Sequence, residues 1–314
     1  MNGCTTTYLN EQTYMAITIK KRTRVLLLLV VAAALYAGSQ IFQKDVAPRP
    51  EAAVAENVVT AHYVISSTAT AAQTLQIAEA VEHLHTAYLN FFPLKASATL
   101  APKLQLILYK DQAQFKEYNR AASWAEAYYL PPNCHAYFAA DEKNPYHWML
   151  HEATHQLNHQ VARIADSKWI NEGLASYFGT SAVKNGKLIP GLIDFDTYPM
   201  WAVARLKLTG DLDTDLGSGK IIALRAIVTG AGGPQFAEKV NTYYVGYWSL
   251  SHFLFHYQGG VYAEKYRALI VAGGTIEDFE RLIGPIEKIQ SQWYGYLEQQ
   301  VASARLNKAH PASY

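Results

Sequence analysis

Residues His151-Glu152-Ala153-Thr154-His155 hold the types and the spacing that metal hydrolysis needs. The run from Tyr146 to Ile164 contains neither Gly nor Pro and is predicted to be one helix, with Asn144 as its N-cap and Pro145 at its first position. Four residues advance a helix by about 400°, so His151 and His155 project from one face, one turn apart. Two imidazoles so placed can grip one tetrahedral zinc ion. Glu152 lies about 100° round the helix, where it reaches a metal-activated water without ligating the metal. The neighbours Trp148, Met149, Leu150, Ala153 and Leu157 are mostly apolar, so the polar groups should face a cleft rather than open solvent.

Catalytic zinc keeps three protein ligands and one open position. Only two cysteines occur, Cys4 and Cys134, so a thiolate cage is excluded. Three histidines of one helix cannot share an ion: His151 and His159 would stand about 12 Å apart along the axis. His159, like His135 and His147, is expected in a surface or capping role, and Cys134 as a buried apolar residue. The third ligand is sought in a second helix, capped by Asp166 or Ser167, that carries Asn171-Glu172-Gly173-Leu174-Ala175. Gly173 beside Glu172 would let another helix approach closely.

His151-Glu152-x-x-His155 followed by Asn171-Glu172-Gly173-x-Ala175 resembles the gluzincin peptidases, most nearly the small peptidase-MA-like group and distantly the aminopeptidase N catalytic domain. Sixteen residues separate His155 from Glu172, two fewer than is typical of that family. The resemblance implies zinc held by His151, His155 and Glu172, with Glu152 as general base and a peptide or protein as substrate. It also implies a tyrosine, near the start of a later helix, that donates to the oxyanion. The segment Asn241 to Leu254 is similar to that helix, and its Trp248, Leu250, Phe253 and Leu254 put the donor at Tyr244, with Tyr243 and Tyr247 as rivals. In zincins a strand just before the metal helix is a sheet edge that binds the peptide backbone, a role that would fall to Cys134–Ala139. The Gly-x-Met-Glu-Asn motif that anchors a substrate amino terminus is missing, so aminopeptidase specificity has no support. A zinc-holding module without catalysis, or a hydrolase of other bonds on the same scaffold, shares the ligand set; an intact Glu152 argues against the first.

The elements that must position these residues are expected to form an α+β, zincin-like domain: a small mixed sheet with helices, then a mostly helical lobe. Strands are predicted at Val58–Ser66, Leu104–Tyr109 and Cys134–Ala139, and helices at Thr70–Phe92, closed by Pro93, and Gln112–Arg120. From Asp194 onward helix periodicity recurs, punctuated by Gly232-Gly233-Pro234, Gly259-Gly260 and Gly273-Gly274. The expected boundaries are a basic region over 1–24, a signal anchor or signal peptide over 25–43, a linker over 44–56, and a catalytic domain over 57–314. That domain divides into 57–183, with the sheet and zinc helices, and 184–314, the helical lobe.

Lys20-Lys21-Arg22-Thr23-Arg24 precedes the uncharged run Val25 to Gln43, the pattern of a segment that enters the export route with its N-terminus cytoplasmic. The catalytic domain would lie outside the cytoplasm, tethered to the membrane, or secreted if the segment is cleaved. Met1 and Met15 both stand ahead of the segment as possible starts. A net charge of +1 gives no electrostatic footing for nucleic acid.

Overall fold

The computed structural model describes residues 56–92, 102–122, 124–165 and 167–309. The expected export segment at 25–43, nearly all of the linker, Cys4, Pro93 and Asp166 lie outside them. Among the described residues, no helix is long and apolar enough to cross a membrane.

The architecture is mixed α+β. Five strands, β1 (Glu56–Val59), β2 (Tyr63–Ser67), β3 (Leu104–Tyr109), β4 (Ala127–Leu130) and β5 (Asn133–Tyr137), form one sheet in the order β1-β2-β3-β5-β4. β2, β3 and β5 run parallel, and the outer strands β1 and β4 pair antiparallel to their neighbours. β2 and β3 alternate between buried and half-buried residues, so one face carries the core. Onto that core pack α1 (Ala71–Phe91), which starts at a Thr70–Gln73 capping box, and α3 (His147–Gln156). Between β3 and β4 lies the short α2 (Gln112–Tyr118). Ile65, Val81, Leu84, Leu106, Met149 and Leu150 are essentially inaccessible, and truncating one such leucine to alanine costs about 2–5 kcal/mol.

Four expectations need correction. The single strand over Val58–Ser66 is a hairpin, because the chain turns at Thr60, whose amide donates to the Tyr63 carbonyl at 2.9 Å. The metal helix is shorter than 146–164: α3 ends at Gln156 and widens into a π turn over Leu157–Val161. Its N-cap is Tyr146; Asn144 accepts from the Tyr146 amide at 3.3 Å and donates to Asp194 at 2.9 Å instead. The strand before α3 is not an edge, since β5 is flanked by β3 and β4, and the outer strand on that side is β4.

After α3 come α4 (Lys168–Gly179) and a hairpin of β6 (Ser181–Lys184) and β7 (Lys187–Ile193), which turns on Asn185-Gly186, both at positive φ. The rest is helical: α5 (Met200–Arg205), α6 (Leu212–Gly217), α7 (Leu224–Thr229), α8 (Val240–His256), α9 (Ala263–Ala272), α10 (Ile276–Leu282) and α11 (Ile286–Ala309). A second apolar cluster, including Met200, Val203, Trp248 and Leu297, joins α5, α8 and α11. The Trp248 indole donates to Thr180 Oγ1 at 2.9 Å and so ties α8 to the end of α4.

Candidate metal centre

His151 and His155 sit one turn apart on α3, and their Nε2 atoms are 3.2 Å from each other. Glu172, in the second turn of α4, brings Oε2 to 3.6 Å from His151 Nε2 and 3.7 Å from His155 Nε2. A point equidistant from three atoms at these separations lies about 2.0 Å from each, the bond length of zinc to nitrogen or carboxylate oxygen. At most one of the facing imidazole nitrogens carries the proton between them, so the other presents a bare lone pair. Glu172 Oε2 is buried without a hydrogen-bond partner. Three donors converging on one point, with too few protons among them, is an arrangement that one metal ion satisfies.

Helix packing brings the three side chains together. α4 runs between α3 and α8, and two glycines allow the close fit. A Cβ on Gly179 would stand 3.3 Å from His151 Cβ, and one on Gly173 would stand 2.3 Å from Ser251 Oγ of α8. The close helix approach expected at Gly173 is therefore present, and the partner is the helix that carries Tyr244.

Glu152 is buried, with the backbone amide of Tyr129 in β4 close enough to favour its charged form. Burial raises its pKa to about 7; the charge of Glu172 adds to this, while His155 and the Tyr129 amide oppose it. Glu172 behaves in the opposite way. Burial would raise its pKa, but the neighbouring His151 and His155 imidazoles and the Tyr244 hydroxyl pull it down to about 2. The two buried carboxyls are thus shifted in opposite directions, Glu152 up and Glu172 down.

Of the three tyrosines, Tyr244 has its ring centre 6.1 Å from that of His151 and its hydroxyl close enough to Glu172 to favour that carboxylate's charged form. Tyr243 donates to the Pro234 carbonyl at 2.8 Å, away from the ligands. Tyr247 is buried and packs 6.0 Å from Tyr244, ring to ring. Burial, then the charges of Glu172 and Glu152, push the Tyr244 hydroxyl far above its usual pKa, so it remains a donor.

The other polar candidates lie elsewhere. His159 is exposed, and its Nδ1 is 3.1 Å from the Tyr129 hydroxyl. His135 and His147 are buried rather than on the surface. His135 stacks on Tyr128 at 4.5 Å, and His147 Nδ1 meets the Asn144 carbonyl at 2.9 Å in the first turn of α3. Cys134 is buried, which raises its thiol pKa, and its Sγ donates to the Glu152 carbonyl at 3.3 Å.

Some neighbours of the site were not singled out from sequence. Tyr198 has its ring 5.4 Å from Tyr244 and 5.6 Å from Trp148, which lies one turn before Glu152 on α3. An aromatic wall therefore runs from His151 through Tyr244 and Tyr198 to Trp148. Beyond Trp148 opens a cleft of about 690 Å³, also lined by Trp201, Tyr137, Glu126 and Glu142. No short motif marks Tyr198; only its place in an aromatic-rich chain could have drawn notice.

A family model described as "Protein of unknown function (DUF1570)" matches residues 148–270. No curated protein matches the chain. The matched stretch begins at Trp148 and takes in His151, His155 and Glu172, as well as Glu152 and Tyr244.

Proposed function

We propose that this chain is a zinc-dependent hydrolase of peptide bonds. The observation that carries the reading is the triangle of His151, His155 and Glu172, with the buried carboxyl of Glu152 on the same helix as the two histidines. Two imidazoles and a carboxylate are a borderline-soft donor set that suits zinc. Bound there, the ion would act as a Lewis acid that polarises the substrate carbonyl and makes water nucleophilic near neutral pH.

The chain's own groups supply the rest. Glu152 takes the proton of the attacking water and passes it to the leaving amine, work for which a pKa near 7 is suited. Tyr244, kept protonated, turns from Glu172 to donate to the oxygen on which negative charge grows. The outer edge of β4 offers backbone groups to an extended peptide, and the Tyr129 amide of the same strand lies near Glu152.

The test pairs metal analysis with a peptide library. The parent should hold one zinc per chain and cleave library members. Glu152→Gln should keep the zinc and lose cleavage by about 10²–10⁴-fold, the usual worth of a general base. Parent protein without zinc, or a Glu152→Gln variant as active as the parent, would defeat the proposal.

A further inference from the structure

Three donor atoms stay 3.2–3.7 Å apart only if the helices that bear them hold a fixed separation. One buried side chain ties those helices together. Asn158 is 2% exposed and lies in the π turn, three residues past His155. Its Nδ2 donates to Asn171 Oδ1 at 2.7 Å, and Asn171 directly precedes Glu172. Its Oδ1 accepts from the Tyr88 hydroxyl at 2.7 Å. Its backbone carbonyl accepts the Ile164 amide at 2.9 Å, which shapes the link between α3 and α4.

The anchor of this relay is rigid. Tyr88 is fully buried on α1, with its ring 4.9 Å from Phe92 and 5.3 Å from Phe178. The π turn is also fastened from outside, where Gln160 donates to the Tyr129 hydroxyl at 2.9 Å and the Pro132 carbonyl at 3.1 Å. His155 needs such support. Ligating histidines usually donate their remote N–H to an acceptor that orients the ring. His155 Nδ1 is buried and has no hydrogen-bond partner among the described residues. The position of its ring therefore rests on the backbone at the end of α3, which the Asn158 relay secures.

We propose that Asn158 is a positioning residue of the metal centre. It acts through Asn171 and the π turn to hold Glu172 against His151 and His155. The inference rests on the reading of those three residues as metal ligands. A relay that served stability alone would lower the melting temperature when broken and leave the ligand triangle unchanged.

The experiment measures Zn²⁺ affinity by competition with a chromogenic chelator, together with the visible absorption of the Co²⁺-loaded protein. Asn158→Leu keeps the side chain's size and loses both hydrogen bonds. It should weaken Zn²⁺ binding by about 10–100-fold and alter the Co²⁺ spectrum. Asn158→Asp accepts from Tyr88 and from a turned Asn171 amide, and should restore most of the affinity. Tyr294→Phe loses a buried hydrogen bond to Asp215, 2.7 Å long and remote from the ligands, and should lower stability while binding Zn²⁺ like the parent. If Asn158→Leu does not fold, Tyr88→Phe carries the test, with a severalfold loss expected. Parent-like affinity and spectrum in Asn158→Leu, or in Tyr88→Phe where it stands in, overturn the proposal, as does an equal loss of affinity in Tyr294→Phe. A parent that binds no Zn²⁺ overturns the ligand reading itself and takes this proposal with it.

Discussion

Gly173 and Ser251 pack so closely that a Cβ at position 173 would stand 2.3 Å from Ser251 Oγ and 3.1 Å from the Tyr247 carbonyl oxygen. Ser251 is fully buried and shares a 2.8 Å hydrogen bond with the Tyr266 hydroxyl, so it cannot swing away freely. Glu172 and Tyr244 sit on the two helices that meet there. Gly173→Ala should therefore push α4 and α8 apart. Overpacking of this kind costs about 1–3 kcal/mol. The loss of activity should exceed what the stability loss explains, because the Tyr244–Glu172 contact is stretched. Thermal unfolding and kcat/KM on one preparation check this, and a variant with parent-like values of both would show that the contact is slack.

The assignment of the oxyanion donor gives a sharp comparison within one helix. Tyr244→Phe should keep the metal and lower kcat by about 10²–10³-fold with little change in KM, the pattern of a contact made only in the transition state. Tyr243→Phe gives up its bond to the Pro234 carbonyl and should lose stability rather than kcat. The steady-state constants of both variants, measured on one cleaved peptide, decide the matter. A larger kcat loss in Tyr243→Phe would reverse the assignment.

Much of the centre was legible because it rests on helix periodicity and on short linked motifs. The i, i+4 spacing of His151 and His155 fixes their common face whatever the rest of the chain does. Asn171-Glu172-Gly173 pointed to both the third member of the cluster and the glycine beside it. β3 matched its expected bounds, since six apolar-rich residues between polar turns leave little choice. Other features were hidden for separate reasons. β4 is four residues long, and its place at the sheet edge depends on pairing with β5. The π turn after α3 depends on tertiary hydrogen bonds from Tyr88 and to Asn171 that no local window contains. The β6–β7 hairpin did carry a local signal. Asn185-Gly186 between Val183 and Leu188 is a strong short-range turn marker, and the helical reading of the C-terminal half passed over it.

Metal removal should be visible in stability as well as in activity. Without an ion, Glu172 Oε2 is buried and unpartnered, and two imidazole nitrogens face each other at 3.2 Å. An ion that binds the folded chain alone stabilises it by RT ln(1 + [L]/Kd), about 2.7 kcal/mol at a hundredfold excess over Kd. Zn²⁺ should raise the melting temperature of chelator-treated protein. Glu172→Gln and His155→Ala should abolish most of that rise, whereas Glu152→Gln should keep it. Differential scanning fluorimetry across a zinc titration reads all of these, and an equal rise in the ligand variants would place the metal elsewhere.

Acid stability should depend on a residue far from the ligands. Asp215 is fully buried and accepts the Thr209 amide at 2.8 Å, the Tyr294 hydroxyl at 2.7 Å and the Lys220 ammonium at 3.0 Å. Burial alone would raise its carboxyl pKa, but these three donors outweigh it and hold the group well below the usual carboxylate range. A carboxyl whose folded pKa is depressed adds stability above its unfolded pKa, about 3.9, and loses it as pH falls toward the folded value. Asp215→Asn should therefore be markedly less stable than the parent at pH 7, and the gap should narrow below about pH 4. Tyr294→Phe should show a smaller deficit with the same pH trend, since two of the three donors remain. Urea unfolding at a series of pH values measures this directly. A gap that stayed constant from pH 7 to pH 3 would mean that Asp215 contributes through packing and not through its charge.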